Sequence, residues 1–335
     1  MSLMEIKTLA IIVPVYNTAS YLHEFIKGLE SQNKLDFDAY FVDDGSTDDS
    51  LRLLKAYEKK DHRFKIFTKD NGGVSSARNL ALEAIQSSKY KYKYIYFCDS
   101  DDWLDPSALT KVIGAMEEVG ADYGLFSVRK VYKDKVINTK KNIKNNLPMN
   151  HDDILKQYFR YTLKWRKGPS SEAFLNNKIF KSSIILNLKF DESLIRSEDF
   201  EYFMRVSNHL EKGILVPDAW FNYRMRKSSL THCGYRPGDI DACLKLYEQK
   251  ERFSKLEKML LQHKLFRAIY LELFQTDDIE RCLHIAREVG FSIPLMLKDV
   301  KLVFFIFIAP KCIIKMAKKI RNLIKIDRKD YVLFD

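Results

Sequence analysis

Residues 94–103 read Tyr94-Ile95-Tyr96-Phe97-Cys98-Asp99-Ser100-Asp101-Asp102-Trp103, an aromatic and β-branched run followed by three carboxylates. The run predicts a short buried strand that ends at the acids. Carboxylates this close raise one another's pKa unless a cation keeps them ionised. Oxygen ligands without a nearby Cys or His favour Mg²⁺ or Mn²⁺ over zinc. An acidic, solvated turn explains the same residues equally well at this point.

The composition is that of a globular protein. The chain has 335 residues, is 46% hydrophobic and 30% charged, and carries a formal net charge of +11, so an anionic partner is expected. Its five cysteines include no CxxC pair, which indicates a reducing compartment and no structural zinc. Residues 1–6 lack the layout of a secretory signal, and no apolar run approaches the ~18 residues that cross a bilayer. We therefore expect a cytoplasmic protein.

Strand and helix patterns alternate along the first part of the chain. Apolar runs at 9–13, 38–42, 65–67 and 94–98 predict four strands, with helical spacing after each of the first three. This alternation favours a parallel sheet covered by helices on both faces, with the ligand beyond the carboxyl ends of the strands. The segments expected to meet there are Pro14-Val15-Tyr16-Asn17, Asp43-Asp44, Gly72-Gly73 and Asp99-Ser100-Asp101.

Local patterns predict several helix starts and a change of organisation near Pro237. The tetrad Ser46-Thr47-Asp48-Asp49 resembles a capping box, and Asp105 with Pro106 suits the start of another helix. Residues 130–150 are rich in Lys and Asn and predict an exposed hairpin or loop. Beyond Pro237, the patterns at 240–261, 266–274 and 279–289 predict helices.

Several residues near the strand ends are candidates for binding a nucleotide. Asp43 ends a buried strand, where an unpartnered charge is costly, so it suits a base N–H; Tyr16 offers a stacking face. The turn Gly72-Gly73 precedes a helix, and such turns attract phosphate. Arg78, about one turn inside that helix, suits a phosphate or ribose. A surface salt bridge is the alternative for Arg78.

Polar residues further along the chain admit two interpretations each. Asp199 lies in an acid-rich segment that either complements a helix dipole or supplies a general base. Arg226 or Lys227 suits a diphosphate leaving group. His232 is a candidate metal ligand, although a lone His is more often an ordinary surface or core residue.

Taken together, the motifs resemble the inverting family 2 glycosyltransferases with the GT-A fold. The resemblance is carried by Ile12-Val13-Pro14-Val15-Tyr16-Asn17, by residues 42–48, by residues 71–79 and by Asp99-Ser100-Asp101-Asp102. It implies an α/β fold, with a mostly parallel, Rossmann-like sheet flanked by helices. Roughly the last hundred residues are not covered by the resemblance, and there the helical patterns predict a helical C-terminal extension. Residues 1–236 would form the nucleotide-sugar-binding catalytic domain and residues 237–335 a helical, basic region.

The resemblance also implies a nucleotide-sugar donor, usually a uridine diphosphate sugar, and Mn²⁺ or Mg²⁺ at the DxD-type motif. Residue by residue, it assigns the base to Pro14, Tyr16 and Asp43, the ribose or phosphate to Arg78 and Asp99, the metal to Asp101 and general-base catalysis to Asp199. We count Asp44 and Ser100, from the same motifs, as donor-binding, together with Arg226. The QxxRW motif of processive members is absent, which favours transfer of a single sugar.

The C-terminal segment 301–329 has nine Lys and Arg residues interleaved with Phe, Ile and Leu. A basic amphipathic helix of this kind can lie on the inner face of an anionic membrane, which would suit a lipid-linked saccharide acceptor. Packing on the catalytic domain or in an oligomer is the alternative. A non-catalytic nucleotide-sugar-binding or scaffolding protein is the second functional hypothesis, and nucleic-acid binding is disfavoured because the charge is concentrated in this tail.

Overall fold

The structure, a computed structural model, describes residues 5–138, 145–159, 174–195, 197–226 and 239–273, together with residues 281, 284, 285 and 289. Its first part alternates strands and helices as predicted. The elements are β1 (Glu5–Val15), α1 (Ala19–Glu30), β2 (Phe37–Asp44), α2 (Ser50–Glu58), β3 (Phe64–Lys69), α3 (Val74–Gln86) and β4 (Tyr90–Phe97). β1 pairs with β2 and β4, and β2 with β3, all in parallel.

The second part extends the same sheet. Its elements are β5 (Trp103–Leu104), α4 (Ala108–Val119), β6 (Tyr123–Val131), β7 (Val136–Asn138), β8 (Leu147–Asn150), α5 (His151–Phe159), β9 (Lys178–Lys181), α6 (Ser182–Ile185), α7 (Glu198–Ser207), β10 (Lys212–Arg224), α8 (Asp239–Glu248) and α9 (Lys255–Leu273). The strand order is β3-β2-β1-β4-β9-β6-β10-β5, with β7 beside β6 and β8 beside β10. Only β9, β5, β7 and β8 run antiparallel to their neighbours among the described strands, so the sheet is mostly parallel.

The core lies on both faces of the sheet, which explains why the strands are apolar throughout. Along β1, Ala10 and Ile12 face one cluster, whereas Leu9, Ile11 and Val13 face the other. Helices α1, α2 and α4 cover the second face, and α3, α5 and α7 the first. Residues of α8 and α9 join the first cluster. The boundary at residue 236 stays a prediction, and residues 227–238 lie outside the described part.

The helices predicted after residues 46–49 and after Asp105 are both present, but the predicted caps do not form, because tertiary contacts hold the Ser46 and Asp105 side chains. Helix α2 begins at Ser50, and the Ser46 hydroxyl accepts a hydrogen bond from the Asn17 amide instead of capping it. Helix α4 begins at Ala108. The Asp105 carboxylate is held by Arg129 and by Asn222, at 2.5 and 2.8 Å, and does not cap this helix.

The predictions for the other segments are partly right. β7 forms the expected hairpin with β6, and residues 139–144 are not described. The helical stretch predicted at 240–261 is interrupted between α8 and α9, and α9 continues past the break predicted at 261–266. The prediction at 279–289 falls mostly on undescribed residues, and the segment 301–329 falls wholly on them. In the described part of the chain, no helix is long and apolar enough to span a bilayer.

Candidate active site

The predicted site residues of the first four strands lie at one edge of the sheet. Pro14 is opposite Val42 near the end of β1, and Asp43 follows Val42 on β2. The turn containing Asp99 follows β4, which pairs with β1 in the same direction. The Tyr16 side chain is 50% exposed at this edge. Parallel pairing thus brings the ends of these strands together, as predicted.

A single buried arginine joins the acids after β4 to the acids of α7. The Arg78 side chain, on α3, is only 4% exposed. Its Nη1 donates to Asp199 Oδ1 at 2.6 Å and lies 3.4 Å from Glu198, while its Nη2 donates to Asp99 Oδ1 at 3.3 Å. Asp99 and Asp199, which are distant in the sequence, therefore share one guanidinium. The surface salt bridge given as the alternative for Arg78 is wrong, because the guanidinium at the centre of this ion-pair network is buried; its contact with the donor ribose or phosphate stays a prediction.

The charges in this cluster perturb one another. Burial lowers the pKa of Arg78, but Asp199, Asp99 and Glu198 outweigh it and raise that pKa overall. Burial, reinforced by Asp199, raises the pKa of Glu198 to about 7 despite the attraction of Arg78. Burial also raises the pKa of Asp99 above its ordinary range, with Arg78 opposing and Asp101 adding to the effect. Shifted carboxyl groups around one buried cation are typical of functional sites.

The acids after β4 are held by three different kinds of partner. Asp99 Oδ2 and Asp102 Oδ2 both accept hydrogen bonds from Asn176 Nδ2, at 3.0 and 3.2 Å. Asp102 Oδ1 accepts from the Arg224 backbone N–H at 2.8 Å. The Asp101 carboxylate forms an ion pair with Arg226. Burial and the two neighbouring aspartates raise the pKa of Asp102 well above its usual value.

Two arginines of the β10 end stack on aromatic rings beside these acids. The guanidinium of Arg224 lies 4.6 Å from the Trp103 ring centroid and 5.0 Å from that of Tyr21, and it also pairs with Glu24. Arg226 lies 5.0 Å from the Tyr21 centroid. The site therefore has cations on both sides of the acidic turn, from α3 and from β10.

The glycine turn is occupied by a carboxylate, which corrects its assignment as a phosphate site. Asp44 Oδ1 and Oδ2 accept hydrogen bonds from the backbone N–H groups of Gly72 and Gly73 at 3.0 and 2.8 Å. Lys69 Nζ donates to the same carboxylate at 2.7 Å. Asp44 is 3% exposed and closes the turn from inside; its predicted role in donor binding stays a prediction.

Asp43 is buried with one unused acceptor. Its Oδ2 accepts a hydrogen bond from the Ser46 N–H at 3.2 Å, whereas Oδ1 has no hydrogen-bond partner among the described residues. The side chain is 2% exposed. Ser100, the other predicted donor-binding residue of the acidic turn, is bonded to the Thr18 hydroxyl at 2.9 Å, which ties the ends of β1 and β4 together.

Sequence patterns missed Asn176, Thr18 and Arg224. The side-chain partners of Asn176 and Thr18 are 74 or more positions away, so no local spacing marks these two residues. Arg224 lies within the Tyr223–His232 basic segment, but that pattern favoured Arg226 and Lys227. His232, predicted as a metal ligand, lies outside the described residues.

The chain resembles known proteins in sequence and in fold. Residues 10–186 match the family described as Glycosyl transferase family 2. The chain belongs to this family. The uncharacterized glycosyltransferase EpsJ of Bacillus subtilis (strain 168) is 27% identical over 260 residues, which cover 74% of this chain and 70% of EpsJ.

Two solved structures share the architecture of this family 2 member. TarS 1-349 of S. aureus, crystallised in complex with UDP-GlcNAc, aligns with a TM-score of 0.64 at 19% identity and covers 94% of this chain and 89% of TarS 1-349. The mannosyltransferase PcManGT of Pyrobaculum calidifontis, in complex with GDP-Man and Mn²⁺, aligns at 0.50 and 16% identity, over 95% and 87% of the two chains. The predicted family, GT-A fold and enzyme class, a glycosyltransferase, are confirmed.

Proposed function

We propose that this glycosyltransferase moves one sugar from a nucleotide donor, a uridine diphosphate sugar, to the hydroxyl of a saccharide or lipid-linked saccharide, with inversion at the anomeric carbon. The observation that carries the proposal is the Arg78 clamp. It places Asp99, from the acidic motif after β4, and Asp199, from the first turn of α7, on the two terminal nitrogens of one guanidinium. A donor-binding acid and a general base are thereby held at a fixed separation.

The nucleotide base fits the end of β2. Asp43 Oδ1 is a buried acceptor without a partner among the described residues, and an imide N–H of the base would satisfy it. Tyr16, which is half exposed, offers a stacking surface, and Pro14 lies next to it on β1. TarS, which shares the fold, binds UDP-GlcNAc, and this supports a uridine nucleotide as the donor.

The acids after β4 have the chemistry for a divalent ion. No cluster of three or more His, Cys, Asp or Glu side chains suited to a metal occurs in the described part of the chain. Mg²⁺ is commonly held by only one or two carboxylates together with substrate phosphates, so Asp101 and Asp99 suffice in number and type. A bound Mn²⁺ or Mg²⁺ would stabilise the negative charge of the departing diphosphate. PcManGT, solved with Mn²⁺, supports this choice of ion.

Asp199 is the proposed general base. Its Oδ1 faces Arg78, and 20% of its side chain remains exposed, which leaves part of the carboxylate accessible to an acceptor hydroxyl. Removal of the hydroxyl proton makes the acceptor oxygen a nucleophile, and attack opposite the leaving diphosphate inverts the anomeric centre. Arg226, at the acidic turn, would neutralise the charge of that diphosphate.

Replacement of Asp199 tests this mechanism. Asp199→Asn keeps an oxygen that can accept the bond from Arg78 but cannot take up a proton. Transfer, measured as sugar incorporation or release of uridine diphosphate, should fall by about 10²–10⁴-fold. Donor binding, measured by calorimetry with Mn²⁺, should change little. Loss of donor binding, or normal transfer, would refute the assignment.

The acceptor and its location are a second part of the proposal. The basic and apolar residues of 301–329 suit the cytoplasmic surface of an anionic membrane, where a lipid-linked saccharide in surface polysaccharide assembly would be available. Flotation of the full chain and of residues 1–300 with anionic liposomes tests this interpretation. Equal flotation of the two proteins would exclude membrane binding through this segment.

A further inference from the structure

Asn176 lies between two of the carboxylates of the acidic turn. Its side-chain nitrogen, Nδ2, donates hydrogen bonds to both Asp99 Oδ2 and Asp102 Oδ2, at 3.0 and 3.2 Å. Asn176 is 2% exposed and its bond to Asp102 is buried, whereas the Asp99 side chain is 37% exposed. One amide group therefore cross-links two acids that would otherwise repel each other.

The backbone around Asn176 is held by its own short helical turn and by a residue of strand β4. Residues Leu175–Asn177 form a single 3₁₀ turn immediately before β9. The hydroxyl of Tyr96, on β4, donates a hydrogen bond to the Asn176 carbonyl at 2.7 Å. Since β4 also leads into the acidic turn, the same strand orients both the acids and the amide that contacts them.

The side-chain oxygen of Asn176 shows that an asparagine at this position does not maximise the stability of the fold. Asn176 Oδ1 is buried and has no hydrogen-bond partner among the described residues. An unsatisfied buried acceptor costs about 1–3 kcal/mol, and such groups are uncommon in folded proteins. The cost is explained if the N–H groups on the same side chain are required at the acids.

Every oxygen of Asp99 and Asp102 then has a defined partner. Asp99 Oδ1 bonds to Arg78, Asp102 Oδ1 bonds to the Arg224 N–H, and both Oδ2 atoms bond to Asn176. Asp101, between these two residues in the chain, is paired with Arg226. The flanking acids are held rigidly, and Asp101 extends from the turn that they fix.

We propose that Asn176 is a positioning residue, whose amide N–H groups hold Asp99 and Asp102 in the arrangement that receives the divalent ion and the diphosphate of the donor. This inference rests on the proposed function of the acidic turn. Asn176 supplies hydrogen-bond donors that an aspartate of the same shape lacks. Its role is therefore electrostatic, and a side chain that only occupies the same volume would not replace it.

Substitutions of the adjacent residues Asn176 and Asn177 distinguish this positioning role from a purely space-filling one. Asn176→Asp preserves the shape but puts a third acid against Asp99 and Asp102; Asn176→Ala removes the donors and adds no charge. Asn177→Asp is the matched control, because Asn177 is also fully buried but its Oδ1 accepts a bond from Lys178 Nζ at 2.6 Å. Binding of uridine diphosphate is measured by calorimetry with and without Mn²⁺, alongside thermal unfolding of each variant.

Mn²⁺-dependent binding of uridine diphosphate should weaken by about 10–100-fold in Asn176→Asp, by less in Asn176→Ala, and hardly at all in Asn177→Asp. A space-filling role predicts the opposite order, with Asn176→Asp close to wild type and Asn176→Ala worse, and that order would overturn the inference. Equal binding by all variants would also overturn it. If the wild type binds neither uridine nor guanosine diphosphate with Mn²⁺, the proposed function itself fails.

Discussion

At the scale of single residues, Asp43 is the proposed determinant of base recognition. Its Oδ1 is buried and unsatisfied among the described residues, while Oδ2 is bonded to the Ser46 N–H. An acceptor in this position suits uracil N3–H and not cytosine N3, which is itself an acceptor. The expected preference therefore follows from one oxygen atom.

The base preference can be changed by replacing that oxygen. Wild-type protein should bind uridine diphosphate at least about tenfold more tightly than cytidine diphosphate, because the wrong base leaves buried acceptors facing each other. In Asp43→Asn, the amide can turn its N–H toward the base, so the preference should shrink or reverse. Calorimetric titration with both nucleotides measures it. Asp36→Asn, at a side chain that is 58% exposed, is the control for loss of charge.

Glu198 makes stability depend on pH. Its pKa is raised by burial, and by Asp199, to about 7, whereas a glutamate in an unfolded chain has a pKa of about 4.3. Folding thus favours its protonated form. The stability that this form contributes is fully present below pH about 4 and is lost as the pH rises through about 7.

Glutamine at this position should keep the uncharged form at every pH. Relative to wild type, the free energy of unfolding of Glu198→Gln should therefore increase by about 2 kcal/mol between pH 5 and pH 8. Urea unfolding at pH 5, 6, 7 and 8 measures the difference. A difference that stays constant over this range would contradict the raised pKa of Glu198.

Residue types were easier to predict from the sequence than their partners. The acids after β4, Asp43 and Arg78 follow from strand ends and local motifs. Their contacts do not, because Arg78 meets Asp199 across 121 positions and Asn176 meets Asp99 across 77. No periodicity in the chain records a contact between two segments that meet only after folding.

At the scale of elements, the turns after β1 and β2 show why local capping rules failed. Asn17 has a left-handed backbone, with φ of 51°, and its Oδ1 accepts bonds from the N–H groups of Thr47 and Asp48. A capping box at 46–49 would pair the Ser46 hydroxyl with the Asp49 N–H and the Asp49 side chain with the Ser46 N–H, but the Ser46 N–H bonds to Asp43 instead. The strands and helices themselves were predictable from apolar spacing, but their ends depend on such cross-turn bonds.

Two glycine-to-alanine substitutions test how closely the turn at Gly45 approaches the turn at Asn71, with Gly114 as the comparison. Gly45 has φ of +73°, and a Cβ there would lie 2.8 Å from the Asn71 backbone nitrogen, so Gly45→Ala should destabilise the protein by more than about 1 kcal/mol. Gly114, inside α4, has open space around it, and Gly114→Ala should stabilise by about 0.5–1 kcal/mol. Urea midpoints compare the two. A destabilisation of equal size in both variants would contradict the close turn-to-turn approach.

At the scale of the whole molecule, the C-terminal helices share a core with the sheet. Glu257 of α9 is 1% exposed and accepts a bond from the Ser207 hydroxyl of α7 at 3.0 Å. Lys264 Nζ, also on α9, lies 3.4 Å from the Phe200 ring centroid on α7. Helix α9 thus packs on the helix whose first turn carries Asp199. The sequence predicted these helices but not the surface on which they pack.

A single substitution in α9 should therefore weaken the sheet as well. Glu257→Gln should lower the free energy of unfolding by about 1–3 kcal/mol, because a buried charge-assisted bond is lost. The tryptophan fluorescence, to which Trp103 of β5 and Trp220 of β10 contribute, should shift together with the far-ultraviolet circular dichroism. Lys258→Ala, at a solvent-exposed ion pair with Glu251, is the control and should have little effect. Separate transitions would indicate that the C-terminal helices unfold independently.

The shared guanidinium of Arg78 makes the two halves of the proposed reaction electrically interdependent. When Asp199 becomes neutral by accepting the proton of the incoming hydroxyl, one of the anions balancing Arg78 disappears. The unbalanced positive charge is then felt at Asp99, on the side where the departing diphosphate is becoming more negative. Activation of the nucleophile and release of the leaving group would thus assist each other through one buried cation that both acids share.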